Sequence, residues 1–186
     1  ELSKYFNDQD SLNRVFCLNY DSNIEIPKER LFKLKGIFFF RLLLKLVDIA
    51  PNLNVFISKR LIKELIFDIY LTNIISFENT DLLLILKPVN SFVVKKAKKN
   101  NVRVVTLATI AEPNFIKSQI AKIEEKYKIK DTSTYSNKRR ILRLNAVFKN
   151  SDYVIPQSNS DFIANTYISN GITQLKMLKS DAKIDI

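Results

Sequence analysis

Apolar positions follow two rhythms through the second half of the chain: short unbroken runs alternate with runs spaced three or four residues apart. Residues 81–86 (Asp-Leu-Leu-Leu-Ile-Leu) form an unbroken run between Thr80 and Pro88. A strand buried on both faces of a parallel sheet reads this way. Residues 102–107 (Val-Arg-Val-Val-Thr-Leu) and 152–155 (Asp-Tyr-Val-Ile) read as two more strands. Between the first two, Val89, Phe92, Val93 and Ala97 mark a helix that ends at Asn100-Asn101. Its last turn carries Lys95, Lys96, Lys98 and Lys99, cations suited to the negative end of the helix dipole. Ile116, Ile120, Ile123 and Tyr127 recur at i, i+4, i+7 and i+11, the stripe of an amphipathic helix. Ile141, Leu144 and Phe148 give another helix face, and a helix over 161–170 stops at Gly171. Upstream, Ser58 opens a helix to about residue 75, with Leu61, Leu65 and Ile69 four apart and Lys59, Lys63 and Glu64 pointing elsewhere.

Strand and helix alternating at this spacing predict an α/β fold, a parallel sheet with helices on both faces. The first 57 residues are less regular. Residues 14–18 (Arg-Val-Phe-Cys-Leu) read as a short strand, 20–27 as a polar loop, and 28–34 and 36–47 as helical. Residues 54–57 are a strand or a lead-in, and 1–8 the tail of a helix. No repeat, low-complexity tract or internal boundary is visible, so 1–186 is expected to form a single domain. The chain begins with Glu1 rather than Met and stops after a strand-like run, which reads as one piece of a longer protein.

Composition narrows the chemistry. At 46% hydrophobic the chain has the makings of a core. It holds no His and one cysteine, Cys17, which excludes a His-based triad, a Cys-rich zinc site and an internal disulfide. A lone cysteine also suits a reducing cytoplasm. With 2 glycines and no G-x-G-x-x-G or P-loop pattern, few loops let a backbone approach a phosphate. The longest apolar run, 37–47, is broken by Arg41 and Lys45 and is too short to span a bilayer.

The net charge of +11 implies attraction to an anionic surface: phospholipid headgroups, nucleic acid or a phosphorylated substrate. Nucleic acid fits poorly, because the cations are dispersed and no strand interleaves them with aromatics. The segment 28–45 suits a membrane better. Lys28, Arg30, Lys33, Lys35, Arg41 and Lys45 stand there against Glu29, among Leu31, Phe32, Leu34 and Phe38 to Phe40. Lys33, Lys35, Arg41 and Lys45 are its candidate contacts with headgroups. The competing reading is a core helix whose Arg41 and Lys45 snorkel to water.

Residues 145–171 are the most informative stretch. A helix ends at Ser151-Asp152, the apolar run Tyr153-Val154-Ile155 follows, and a polar turn with Ser158 leads into a helix that runs to Gly171. Ligand crevices of open parallel sheets lie at such carboxyl ends. Ser158 to Asp161 fits the Ser-x-x-Asp capping pattern, which is a helix cap and also a helix start able to meet an anion. The stretch resembles the end of the first domain of two-domain glycosyltransferases of the GT-B fold, of the group-1, glycosyltransferase-4-like kind. Lys183-Ile184-Asp185-Ile186 resembles the strand that leads to the linker in that family. Glu124-Glu125 and Lys126-Tyr127-Lys128 stand where many members carry a Glu-Glu pair and a Lys-Tyr-Gly ending. Adjacent glutamates cannot share a helix face, so the pair reads as solvated charge.

The resemblance implies a Rossmann-like domain, one of a GT-B pair. It implies a full-length enzyme that transfers a sugar from a nucleotide-sugar to a glycan or lipid-linked acceptor. The nucleotide-sugar would bind a second domain, so neither a cofactor nor a metal is expected in this one, which alone would be inactive. A cytoplasmic place, peripheral at the inner membrane face, goes with that. In the family the loop after the second central strand carries small residues and a His and faces the acceptor. Here that loop, 108–114, reads Ala-Thr-Ile-Ala-Glu-Pro-Asn and has no His. Thr109, Glu112 and Asn114 are its polar side chains, and with Ser158 they are the candidate acceptor-binding residues. Glu112 is also the candidate base, against a plain role opening a helix with Pro113. Two alternatives stand beside this reading. One is a non-enzymatic α/β module that binds an anionic membrane or a protein partner. The other is the first domain of a GT-B-fold sugar epimerase.

Overall fold

A computed structural model describes residues 15–16, 31–32, 37–49, 58–108, 111–129, 137–156 and 161–172. The chain divides into two compact units, Glu1–Ala50 and Pro51–Ile186. In the first, β1 (Val15–Phe16) pairs parallel with β2 (Leu31–Phe32), Val15 opposite Leu31. The helix α1 (Ile37–Ile49) follows, with Phe40 buried and Lys45 exposed. The structure thus corrects the reading of 28–34 as helical, since Leu31 and Phe32 are strand. Apolar residues in pairs fit either period, and pairing with Val15 and Phe16 decides it. A single cationic helix across 28–45 is therefore not formed. Lys33 and Lys35, and the side chain of Arg41, lie outside the described residues.

The second unit runs α2 (Lys59–Ile74), β3 (Leu82–Ile85), α3 (Ser91–Lys99), β4 (Arg103–Ala108), α4 (Pro113–Tyr127), α5 (Lys138–Asn150), β5 (Tyr153–Pro156) and α6 (Asp161–Ser169). The strands form a parallel sheet in the order β3-β4-β5. This is an α/β architecture, as the alternation predicts, and each strand lies within one residue of its expected bounds.

Register sorts the side chains. Leu83 pairs with Val104, Ile85 and Val154 pair with Thr106, and Ala108 pairs with Pro156, so these seven share one face. Val94 and Ala97 of α3 and Val147 of α5 pack with Ile85 and Val104 there. Leu144 and Phe148 of α5 and Tyr167 of α6 pack with Ala108 and Val154. Consecutive crossovers of one hand, stepping the same way along a sheet, place their helices on the same side. The opposite face carries Leu82, Leu84, Val105, Leu107, Tyr153 and Ile155, of which Leu82 is 44% exposed.

Side chains close the elements. Ser58 Oγ accepts from the Leu61 N–H at the start of α2, and Asn137 Oδ1 from the Arg140 N–H at the start of α5. Lys96 Nζ donates to the carbonyls of Thr72 and Ile75, both at 2.7 Å, satisfying the carboxyl end of α2. On the amino-terminal side of the sheet, Asp152 accepts from the Val104 N–H and from Lys98 Nζ. Thr106 Oγ1 lies 2.7 Å from Ser151 Oγ, which donates to the Val147 carbonyl. That buried pair is satisfied without water. Among the described residues no helix is long and apolar enough to cross a membrane.

Two expected helix faces turn out differently. In α2 the buried positions are Leu61, Asp68 and Leu71, while Ile69 is 46% exposed. In α4 only Pro113 is buried, and the far end of the stripe stands open, with Ile123 49% and Tyr127 61% exposed.

Candidate functional site

Beyond the carboxyl end of β4, Glu112 caps α4. One carboxylate oxygen accepts from the Phe115 N–H at 2.8 Å, and the other from Asn114 Nδ2 at 2.9 Å. Pro113 at the first helical position has no N–H to satisfy, which suits it to this start. The Glu112 N–H donates to Thr166 Oγ1, whose hydroxyl donates to the Ile163 carbonyl. The start of α4 is thereby tied to the middle of α6. Phe115 and Phe162 add an edge-to-face contact at 5.5 Å between the same helices.

Glu112 and Asn114 line a pocket of about 70 Å³ with Asn145 and Lys149 of α5, Phe148, Tyr167, Asn170 and Ile172. Behind it the buried rings of Phe148 and Tyr167 meet edge to face at 4.8 Å. Its rim is polar, with three asparagines, a carboxylate and an ammonium. Burial holds the Tyr167 phenol well above its usual pKa, and the Glu112 carboxylate nearby pushes it the same way. The phenol is therefore neutral at every physiological pH. The amides of Asn114, Asn145 and Asn170, which can both donate and accept, are the lining groups open to a ligand.

A second polar cluster lies at the start of α3. The side chain of Asp68, fully buried, accepts from the Phe92 and Val93 N–H groups and from Ser91 Oγ. Arg143 donates to the same carboxylate at 2.8 Å and to the Val89 carbonyl, with its guanidinium 5.4 Å from the Phe92 ring centroid. Beside it Arg140 bonds Glu64 at 3.0 Å, and Glu64 also accepts from Arg60. In a parallel sheet the helix start after a strand is a natural anion site. Here it is filled from within, because the Asp68 carboxylate takes the free N–H groups.

Of the four candidate acceptor residues, the structure brings Glu112 and Asn114 together on one pocket, while Thr109 and Ser158 lie outside the described residues. Both Glu112 oxygens are engaged by its own first turn, the helix-opening role foreseen for it. Sequence reasoning did not find Asn145, Lys149, Tyr167 or Asn170, which come to the pocket from helices distant in sequence. It also missed Asp68 and Arg143. A signal for Asp68 existed: it stands seven residues after Leu61 and three before Leu71, an acid within a buried stripe. Among the described residues no group of three or more His, Cys, Asp or Glu side chains is placed to hold a metal ion.

Comparison with protein-family models, with curated proteins and with solved structures gives no match. The functional reading therefore rests on the residues and their geometry.

Proposed function

We propose that this chain is the acceptor-side domain of a GT-B glycosyltransferase. A nucleotide-sugar would be held by a partner domain, and the sugar's anomeric carbon would pass to an acceptor hydroxyl as nucleoside diphosphate leaves. The observation that carries the reading is the meeting of Glu112 and Asn114, which follow the carboxyl end of β4, with Asn145 and Lys149 on one pocket. In parallel sheets ligands gather at that end of the strands. Amide side chains, which donate and accept, suit sugar hydroxyls.

On this reading the three strands are half of a Rossmann-like sheet with helices on both faces. One face already carries α3 and α5, and the part-open face of Leu82 and Tyr153 is where a second helical layer belongs. Glu112 acts as a positioning residue: it fixes the Asn114 amide at 2.9 Å, and Asn114 with Asn145 contacts acceptor hydroxyls. The acceptor is a glycan or a lipid-linked sugar met at the inner face of a membrane.

The test is a screen of nucleotide-sugars against the protein in its natural full length, with glycan and lipid-linked acceptors, reading release of nucleoside diphosphate. Acceptor-dependent release, with Asn114→Ala and Asn145→Ala each raising the acceptor KM about tenfold, is expected for the loss of a hydrogen bond to a hydroxyl. No release from any uridine, guanosine or adenosine diphosphate sugar overturns the proposal.

A further inference from the structure

The positive charge of this chain is unevenly placed. Residues 1–50 hold 8 Lys and Arg against 7 Asp and Glu, while residues 51–186 hold 22 against 12. Within the second unit, α3 and α5 together contain nine cations and no acid: Lys95, Lys96, Lys98, Lys99, Lys138, Arg139, Arg140, Arg143 and Lys149. Four of the nine are committed. Lys96 caps α2, Lys98 bonds Asp152, Arg140 bonds Glu64 and Arg143 bonds Asp68. Lys149 is engaged as well, and the remaining four, Lys95, Lys99, Lys138 and Arg139, are exposed. The two helices pack against the same sheet face, so their outward sides look the same way.

We propose that the outward side of α3 and α5 is a docking surface for an anionic phospholipid bilayer. Charge complementarity selects an anionic partner, and the apolar residues among the cations select a bilayer. Leu142 is 59% exposed on α5, one turn from Lys138 and Arg139, and Phe92 is exposed on α3 beside Lys95 and Lys99. At a headgroup boundary the ammonium groups meet phosphates while Leu142 enters the acyl edge. A nucleic-acid backbone offers Leu142 nothing. The ring of Phe92 is no free stacking platform either, because the Arg143 guanidinium already lies over it. The surface differs from the segment 28–45 and stands independently of sugar transfer, since vesicle binding is measured without any donor or acceptor.

The experiment is co-sedimentation of the full chain with vesicles of phosphatidylcholine, and of phosphatidylcholine with roughly a third phosphatidylglycerol, at about 0.1 M salt. Three charge-reversal pairs are compared: Lys95→Glu with Lys99→Glu on α3, Lys138→Glu with Arg139→Glu on α5, and Lys117→Glu with Lys122→Glu on α4. Circular dichroism checks that each variant is folded, and Leu142→Ser, which leaves the charge unchanged, reads the apolar part. Binding only to the anionic vesicles is expected, with a loss on the order of tenfold or more for each of the first two pairs. The α4 pair, which changes net charge equally, and Leu142→Ser are expected to lose under threefold and about threefold respectively. Equal loss in all three pairs overturns the proposal, since net charge alone would then explain binding. So does equal binding to neutral vesicles, or tighter binding to single-stranded RNA than to the anionic vesicles.

Discussion

Asp68 is the residue on which the packing of three helices turns. It is fully buried, it belongs to α2, and its carboxylate serves the start of α3 and Arg143 of α5. A buried ion pair contributes little net stability, but removing one partner leaves the other charge stranded. Asp68→Ala is therefore expected to cost about 3–5 kcal/mol in urea unfolding. Asp68→Ala combined with Arg143→Met is expected to be more stable than Asp68→Ala alone, because no uncompensated guanidinium remains. A double variant less stable than the single would show that Arg143 is held mainly by Val89 and Phe92. Tyr167 gives a second prediction with a definite sign. Its phenol is held above the usual value near 10 by burial and by Glu112, so the folded state keeps a proton that the unfolded state loses. Its contribution is complete below about pH 10 and is lost as pH rises beyond that. Melting temperatures followed from pH 8.5 to about 11 should fall, and the fall should be shallower in Tyr167→Phe. Such residues are hard to read from sequence. A hydrophobic pattern scores Asp68 as a surface residue, and it pointed to Leu61, Leu65 and Ile69 because only the fold supplies the acid's four partners.

Elements were more legible than residues. The runs at 81–86, 102–107 and 152–155 were legible as strands because they are short, mostly apolar and closed by Thr80 and Pro88 or by Asn100-Asn101. The structure places them at Leu82–Ile85, Arg103–Ala108 and Tyr153–Pro156. Leu31-Phe32 was misread because two residues carry no period. The stripe of α4 was legible as a helix but not as an exposed one, since periodicity shows that a face is apolar and not what covers it. The end of α6 was legible for a steric reason. Gly171 adopts φ +91°, a conformation that side chains rarely take, and among the described residues beyond its chain neighbours no atom lies within 4 Å of where its Cβ would be. Gly171→Ala should therefore cost only the backbone term, about 1 kcal/mol. Gly171→Asn should cost less, because Asn tolerates positive φ. Thermal unfolding of the two variants checks the order. A cost of several kcal/mol for Gly171→Ala would mean that the space around it closes in solution.

At the scale of the whole molecule the net charge of +11 governs the response to salt. Among the described residues, Glu64, Asp68 and Asp152 each pair with a cation, so these internal bonds leave the cationic excess of the second unit as its composition gives it. Lys95 and Lys99 lie one turn apart on one helix, and like charges at that spacing repel. Added salt screens such exposed pairs over about 10 Å at 0.1 M, whereas the Asp68–Arg143 pair is buried and screened far less. The two effects do not cancel. Screening relieves the repulsion and leaves the internal bonds nearly untouched, so the folded state gains. Raising sodium chloride from about 0.02 to 0.2 M should lift Tm by a few degrees, and Lys95→Gln with Lys99→Gln should shrink the gain. The sign is the useful part. If salt lowered Tm, attractive surface pairs would outweigh repulsive ones, and the excess of exposed cations on α3 and α5, which is the physical basis for docking on an anionic bilayer, would have to be neutralised by acids elsewhere in the chain.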